Sequence, residues 1–445
     1  MFFNQKIETM STKKQQKMQW YQLKKVLITA CQNSKFYKKW FKKYQINLKK
    51  IKNFKDYEKL PLMDKFQILD NNPFDFVSCQ EKDLFGVFSS GGTAGRSKLI
   101  LKDKESFNFT ANEELGIFFK AMNLNQKDRI AILATAGISS AFHKIVLGSL
   151  AYGLMIIPLG SGTDIKFTAE IMKKMNATIF WSSAIFTLAL TKNIVALGFN
   201  PAKDFSIKKI VCSGMPLSDN IRFFLEKTWG AEVFMAAGAA EFGVLGFECK
   251  KHDGMHISPE YLYWEILDPE THKPVSEGKM GESVCSSLKN LALPLFRYQM
   301  NDLAKITYKK CDCGRTTPRI WLLGRTQETI FIGAHKVYGY QIEEALTSLK
   351  EMSGNYQLLV SEKQGKTNFN YKIETLKSGQ EKNINLLTQV KIKLENISVT
   401  FSQGIRENRF IVKVKLVAPD TLERTSRGKI KDRILDLREK LYKGY

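Results

Sequence analysis

The chain has 445 residues, enough for three average domains or for one large α/β domain with a smaller companion. Its composition, 44% hydrophobic, 11% aromatic and 25% charged, excludes disordered, collagenous and low-complexity classes and leaves ample material for a large core. The net charge of +24 is uneven, because residues 1–60 hold sixteen lysines and no arginine against three acids, Glu8, Asp56 and Glu58.

Beneath those lysines Trp20, Leu23, Val26, Leu27 and Ala30 recur at helical spacing, so the segment reads as helices with a solvated basic face. The lysines are not interleaved with aromatics in a recognition pattern, and nucleic acid is not an expected partner. Polar and charged residues follow Met1-Phe2-Phe3 at once, which is unlike a secretory signal. Seven scattered cysteines make no disulfide framework.

Further along, Arg129–Ala134 and Leu154–Leu159 read as buried strands. The longest apolar stretch, Ile145 to Leu159, contains Gly148, Gly153 and Pro158 and falls short of the roughly twenty residues a membrane span requires. It is expected to be a buried helix followed by a strand, and the expected location is the cytoplasm. Ser218 to Trp229 predicts a helix, with Ser218 as N-cap and Gly230 as the stop. Such alternation predicts an α/β fold with parallel strands. Composition changes near Gly324–Gln327, where a boundary is placed. Residues 1–75 form a basic helical leader of the large domain, 76–323 its nucleotide- and acyl-binding part, 324–327 a hinge, and 328–445 a small domain with a helix starting near Gln341.

The first chemical motif is Phe88-Ser-Ser-Gly-Gly-Thr-Ala-Gly-Arg-Ser-Lys98. Glycines let backbone N–H groups crowd a phosphate, hydroxyls add donors, and Lys98 supplies a charge. No Gly-Lys-Ser/Thr ends it, so it is not the P-loop of nucleotide hydrolases. Four further blocks follow in order: Gly238-Ala-Ala-Glu241, Leu295-Phe-Arg-Tyr-Gln-Met-Asn-Asp302, Gly324-Arg325 with Gln341-Ile-Glu343, and Arg424-Thr-Ser-Arg-Gly-Lys429. Together they resemble the adenylate-forming (acyl-activating) enzymes. The basic leader, Asp253-Gly-Met-His256 and Cys311-Asp-Cys-Gly-Arg-Thr316 make the phenylacetate–coenzyme A ligase family the nearest likeness, over about residues 20 to 435.

That resemblance implies a large N-terminal domain of layered α/β subdomains and a small mobile α+β C-terminal domain. It implies ATP-dependent activation of a small carboxylic acid to an acyl- or aryl-adenylate, then transfer to a thiol, with coenzyme A as the leading acceptor. An acidic carrier protein, docked by the basic leader, is the rival acceptor, and a catalytically weakened relative is a third reading; a homodimer stays open. By the same resemblance Ser90, Gly92, Thr93, Gly95 and Lys98 grip the ATP phosphates, while Glu241 holds Mg²⁺. Asp302 and Arg325 meet the ribose, and Lys429 offsets charge as the carboxylate attacks the α-phosphate. Departures stand beside the matches. Ala237 replaces an adenine-stacking aromatic, for which Phe234 or Phe242 is a candidate substitute, and Ala240 replaces a hydroxyl residue. Gln327 and Ala334 alter the hinge and the thiol path.

Cys311-x-Cys313 with Cys249 and a histidine makes a structural zinc set of three thiolates and an imidazole. The family's spacing favours His256 as fourth ligand, with His252 as the alternative. The acyl pocket is expected along Ala134–Phe142, Phe180–Ile185 and Cys212–Met215, lined by Phe142, Trp181, Ser182 and Met215.

Overall fold

The computed structural model describes residues 2–89, 97–214, 217, 219–332, 335–424 and 430–438, which divide into two compact units. The strands of the larger unit are β1 (Leu84–Ser89), β2 (Leu99–Asp103), β3 (Arg129–Ile132), β4 (Met155–Ile157), β5 (Ile179–Ser183), β6 (Lys209–Ser213) and β7 (Glu232–Ala239). They continue as β8 (Gly243–Glu248), β9 (Met255–His256), β10 (Leu262–Leu267), β11 (Gly281–Ser287), β12 (Tyr298–Thr307) and β13 (Arg319–Arg325). Among the described residues, β3 to β13 make one mixed sheet in the order β10-β11-β12-β13-β9-β8-β7-β6-β5-β3-β4. The run from β4 to β7 is parallel, as alternation with helices requires, and β7 onward turns antiparallel. β1 and β2 pair as a separate hairpin.

The apolar stretch at 145–159 divides as its glycine dictates. A helix, Ser140–Tyr152, ends at Gly153 with φ +84°, and β4 follows. The helix predicted at 218–229 spans Asp219–Trp229; its proposed cap, Ser218, lies outside the described residues.

The basic leader is part of the larger unit's core. Helix Thr12–Asn33 buries Leu23, Val26, Leu27 and Ala30, and helix Lys35–Lys43 buries Phe36, Tyr37, Trp40 and Phe41. These side chains share one cluster with Trp264 of β10, with Leu295 and Phe296, and with Tyr298 of β12. The Tyr37 hydroxyl donates to the Pro294 carbonyl at 2.6 Å. Each such aliphatic side chain contributes about 1.5–3 kcal/mol by leaving water. Lys13, Lys14, Lys17, Lys24, Lys25, Lys38 and Lys39 are exposed on the opposite face, so the charge is the solvated side of a packed element.

The smaller unit has its own core. Here β14 (Thr329–Ile332) pairs with β15 (His335–Tyr338). The strands β16 (Met352–Lys363), β17 (Lys366–Thr375), β18 (Phe410–Val417) and β19 (Ile434–Asp436) form a sheet in the order β18-β17-β16-β19. Helices Gly339–Thr347, Ile384–Glu395 and Val399–Arg406 supply Ile342, Leu346, Leu386, Val390, Leu394 and Phe401 to one cluster with Tyr356, Phe369 and Tyr371. Among the described residues no helix is long and apolar enough to cross a membrane.

Candidate functional site

Glu241 sits in the tight turn between β7 and β8, where Ala239 pairs with Gly243 across the antiparallel hairpin. A Cβ at Gly238 would lie 3.0 Å from the Gly243 carbonyl, so the strands close this tightly only with glycine there. The carboxylate is buried, at 4% exposure, and accepts an ion-paired hydrogen bond from Lys98 Nζ. The Tyr298 hydroxyl donates to the same Glu241 oxygen at 3.2 Å and lies 3.2 Å from Lys98 Nζ. Burial pushes the Glu241 carboxyl up, but the charge and hydrogen bond of Lys98, helped by Tyr298, hold it below the usual range. The Lys102 ammonium, also buried, donates to the Glu241 backbone carbonyl and fixes the turn. Two lysines from one short segment therefore converge on Glu241. Tyr298 lies in the Leu295–Asp302 block but had no assigned role; Lys102 carried no sequence signal.

The other predicted residues fall as follows. Asp302 is half-buried on β12, beside a register shift against β11 that accompanies Asn301 at φ +57°. A bulge of that kind re-aims the side chain that follows it. Arg297, of the same block, is structural: its guanidinium makes a bidentate pair with buried Glu265 at 2.9 and 3.1 Å. Arg325 is exposed at the end of β13. Ser90, Gly92, Thr93, Gly95, Met215 and Lys429 lie outside the described residues.

Trp181 and Ser182 are on central strand β5 and are buried. Trp181 is edge-on to Phe118 at 5.5 Å and donates to Ser213 Oγ at 3.1 Å, while Ser182 is fully buried. A parallel strand covered on both faces turns every side chain inward, so an apolar run there cannot distinguish pocket from core. Phe142 is half-buried on the helix Ser140–Tyr152. Ala237 is buried in β7, and neither aromatic substitute is exposed. Phe234 packs on His252 at 5.0 Å, and Phe242 packs edge-on to Tyr298 at 5.9 Å.

A second constellation forms where β8, β9 and the loop before β13 meet. Donor atoms of Cys249, His256, Cys311 and Cys313 all lie within 4.8 Å of one another. Cys249 and Cys311 sulfurs are 3.8 Å apart, and Cys313 Sγ is 3.4 Å from His256 Nε2. Tetrahedral bonds of about 2.3 Å to sulfur and 2.0–2.1 Å to nitrogen would give separations of about 3.8 and 3.6 Å, so the donor set fits a zinc ion. His256 Nδ1 is 2.8 Å from Thr317 Oγ1, the partner that orients a ligating imidazole. His252 is engaged elsewhere, with Nδ1 3.1 Å from Glu248 and Nε2 3.7 Å from Glu232. The Cys313 thiol is drawn well below the ordinary range by a hydrogen bond from Cys249, with His256 adding to it against burial. Sequence reading missed the support from the leader. Arg315 donates to Cys313 Sγ at 3.6 Å and pairs with Glu8 at 2.7 Å, both partners of that pair being buried.

In the smaller unit, Arg424 bonds the buried carboxylate of Glu374 at 2.6 Å and forms a β-bridge with Ile430. Arg433 stacks 4.5 Å over the Tyr356 ring and pairs with Glu343 at 3.0 Å and with Glu328, beside the predicted hinge, at 3.4 Å.

A sheet that turns from parallel to antiparallel at β7, with a Lys-carboxylate pair on the following turn, and a second compact unit with its own sheet agree with the adenylate-forming enzymes. Residues 13–292 match the AMP-binding enzyme family and residues 334–438 match the AMP-binding enzyme C-terminal domain; the chain belongs to that family. It is 24% identical over 449 aligned residues to phenylacetate-coenzyme A ligase of Thermus thermophilus, covering 99% of this chain and 100% of that one. To the enzyme of the same name from Escherichia coli it is 24% identical, covering 84% of this chain and 85% of that one. Among solved structures it resembles 2-hydroxyisobutyryl-CoA ligase in its postadenylation state with 2-HIB-AMP, with a TM-score of 0.84, 20% identity, and coverage of 98% of this chain and 93% of that one.

Proposed function

We propose that this enzyme activates a carboxylic acid with ATP to an acyl-adenylate and pyrophosphate, then passes the acyl group to the thiol of coenzyme A. The single observation that carries the reading is the Lys98–Glu241–Tyr298 cluster at the β7–β8 turn, formed by three of the family's sequence blocks. Full-length likeness to two ligases that use coenzyme A supports the acceptor.

Lys98 closes the phosphate-loop segment, where its ammonium would meet phosphate oxygens. That ammonium pairs with the Glu241 carboxylate. Mg²⁺ would bring charge neutralisation to the phosphates, with Glu241 as its hard oxygen ligand. Tyr298 and Lys102 each bond Glu241 and would hold its turn in place for a bound cation. Asp302 would accept hydrogen bonds from the ribose hydroxyls and Arg325 would approach the same sugar. Lys429, carried by the small unit, would offset charge on the α-phosphate during attack. Residues 324–327 would serve as the hinge between the 76–323 and 328–445 parts, with the 1–75 leader fixed to the former. Zinc held by Cys249, His256, Cys311 and Cys313 would be structural, because four protein ligands leave no open position.

The test is ATP–pyrophosphate exchange by the purified chain across aliphatic, aromatic and hydroxylated acids, followed by thioester formation with coenzyme A. Acid-dependent exchange supports the reading; silence across the panel, with no ATP binding by calorimetry, overturns it. Exchange with transfer only to a carrier protein would overturn the acceptor alone.

A further inference from the structure

The outer face of the leader carries charge of one sign. From Thr9 to Lys55 the chain holds fourteen lysines and no arginine, aspartate or glutamate, and all fourteen are exposed. The leader's three acids are engaged elsewhere: Glu8 is buried against Arg315, Glu58 accepts from the Tyr263 hydroxyl, and Asp56 meets Lys59 at 3.5 Å. Among the described residues none of the fourteen lysines joins an ion pair. Lys13 and Lys17, Lys35 and Lys39, Lys38 and Lys42, and Lys39 and Lys43 each stand one helical turn apart. Like charges at that spacing destabilise a helix, and surface helices ordinarily intersperse acids among them. A face that keeps this repulsion is complementary to a dense array of negative charge. The helix Thr12–Asn33, about 33 Å long, adds apolar groups to that face. Lys14, Lys17, Tyr21, Lys24 and Ile28 make one stripe opposite the buried Leu23, Val26 and Ala30. Tyr21 is 71% exposed, and with Met10, Lys14, Lys17 and Met18 it lines a shallow open groove of about 330 Å³.

We propose that this face docks the enzyme on a bilayer rich in anionic phospholipid, with the lysines over the headgroups. Three features select lipid from other polyanions. Nucleic acid and structured phosphate sites are gripped by the planar fork of arginine, which the leader lacks. An acidic protein is held in register by complementary charges of both signs, whereas this face has one sign only. A fluid surface asks for density of positive charge alone, and exposed aromatic side chains such as Tyr21 settle at the headgroup level. Each lysine that reaches such a surface strengthens binding roughly fivefold, an effect that salt screens within a Debye length. Leu23, Val26, Leu27 and Ala30 stay in the protein core, so docking needs no unfolding of the leader. It requires neither nucleotide nor acid.

The experiment sediments the full chain with vesicles of phosphatidylcholine alone or with about one third phosphatidylglycerol, in about 0.1 M salt. The anionic vesicles should bind at least about tenfold more tightly, and about 0.5 M salt should release the chain. Reversing four leader charges together, Lys14→Glu, Lys17→Glu, Lys24→Glu and Lys25→Glu, should weaken binding by about 10²-fold or more. Lys363→Glu, Lys377→Glu, Lys382→Glu and Lys393→Glu together change the net charge equally at exposed sites of the smaller unit. That second variant should stay within about threefold of the native chain. Circular dichroism checks that both variants fold, and the same four leader lysines changed to glutamine are the second arm should the first not fold. The inference is overturned by equal binding to both kinds of vesicle, by no binding to either, or by equal losses in the two charge-reversal variants. It is overturned as to lipid if an acidic carrier protein or duplex DNA, at matched negative charge, displaces the chain from the anionic vesicles.

Discussion

Lys98 and Glu241, 143 residues apart in the chain, form a partly buried ion pair whose carboxylate oxygen is shared with the Tyr298 hydroxyl at 3.2 Å. The pair joins the segment ending at Lys98 to the turn after β7, so two sequence blocks meet at one place. Glu241→Gln keeps the turn's shape but removes the anion. Acid-dependent pyrophosphate exchange should then fall by about 10²-fold or more, with Tyr298→Phe falling by about tenfold or less. A Glu241→Gln enzyme within threefold of the native rate would contradict the role given to this carboxylate. Because the folded Glu241 carboxyl titrates below its ordinary 4.5, its stabilisation is complete above that value and is lost as pH falls further. Exchange measured from pH 7 to 5 should accordingly show no loss traceable to this group.

The Cys/His cluster predicts close to one zinc per chain in purified protein. Cys311→Ser should lose the metal and lower the melting temperature. Thr317→Val, which removes the hydroxyl at His256 Nδ1, should weaken zinc by about 10–100-fold in competition with a chelator. Substoichiometric zinc in native protein, or full retention in Cys311→Ser, would end the metal assignment.

Glu8 and Arg315 are 1% and 3% exposed by side chain and 2.7 Å apart, and Glu8 also accepts the Phe3 and Asn4 N–H groups. Glu8→Ala strands a buried guanidinium next to Cys313, and should destabilise by about 3–5 kcal/mol in urea unfolding. The same variant should release zinc to a chelator faster than native protein. A cost below about 1 kcal/mol would show the leader to be loosely attached.

Burial lowers the Lys144 ammonium from 10.5 to about 8, with Glu114 opposing the shift and Lys102 the neighbouring cation. A lysine with a depressed folded value is charged at a penalty below pH 8, so stability should rise as pH increases from about 8 toward 10.5. The full span is worth at most about 3 kcal/mol. Lys144→Met should flatten that rise in pH-dependent thermal unfolding, whereas an unchanged slope would place the titration elsewhere.

Much of this was legible in the chain, for reasons that differ by element. The helices at 12–33 and 35–43 declared themselves because Leu23, Val26, Leu27 and Ala30 keep helical spacing under a solvated lysine face. The 145–159 run was divided correctly because Gly153 can take a left-handed turn that ends a helix. Glu241 and Lys98 came from motif order, which fixed their identity but not their mutual contact. Trp181 and Ser182 were unreadable in kind, since a two-sided parallel strand is equally apolar whether it walls a pocket or fills a core. Lys102, Lys144 and Glu114 left no signal, because nothing in sequence distinguishes a buried charge from the many solvated ones. Family spacing favoured His256 over His252, and the structure turns His252 onto Glu248 and Glu232 and leaves His256 among the thiols.

The most direct test of the account compares ATP–pyrophosphate exchange in the native chain and in Lys429→Ala, using an acid the native enzyme accepts. The contacts of Arg424 with Glu374 and Ile430 do not involve the Lys429 side chain, so the variant should keep native circular dichroism and melting temperature. Exchange should fall by at least about 10²-fold, the loss expected on removing a charge aimed at the transition state. Native-like exchange in a folded Lys429→Ala protein would contradict the account.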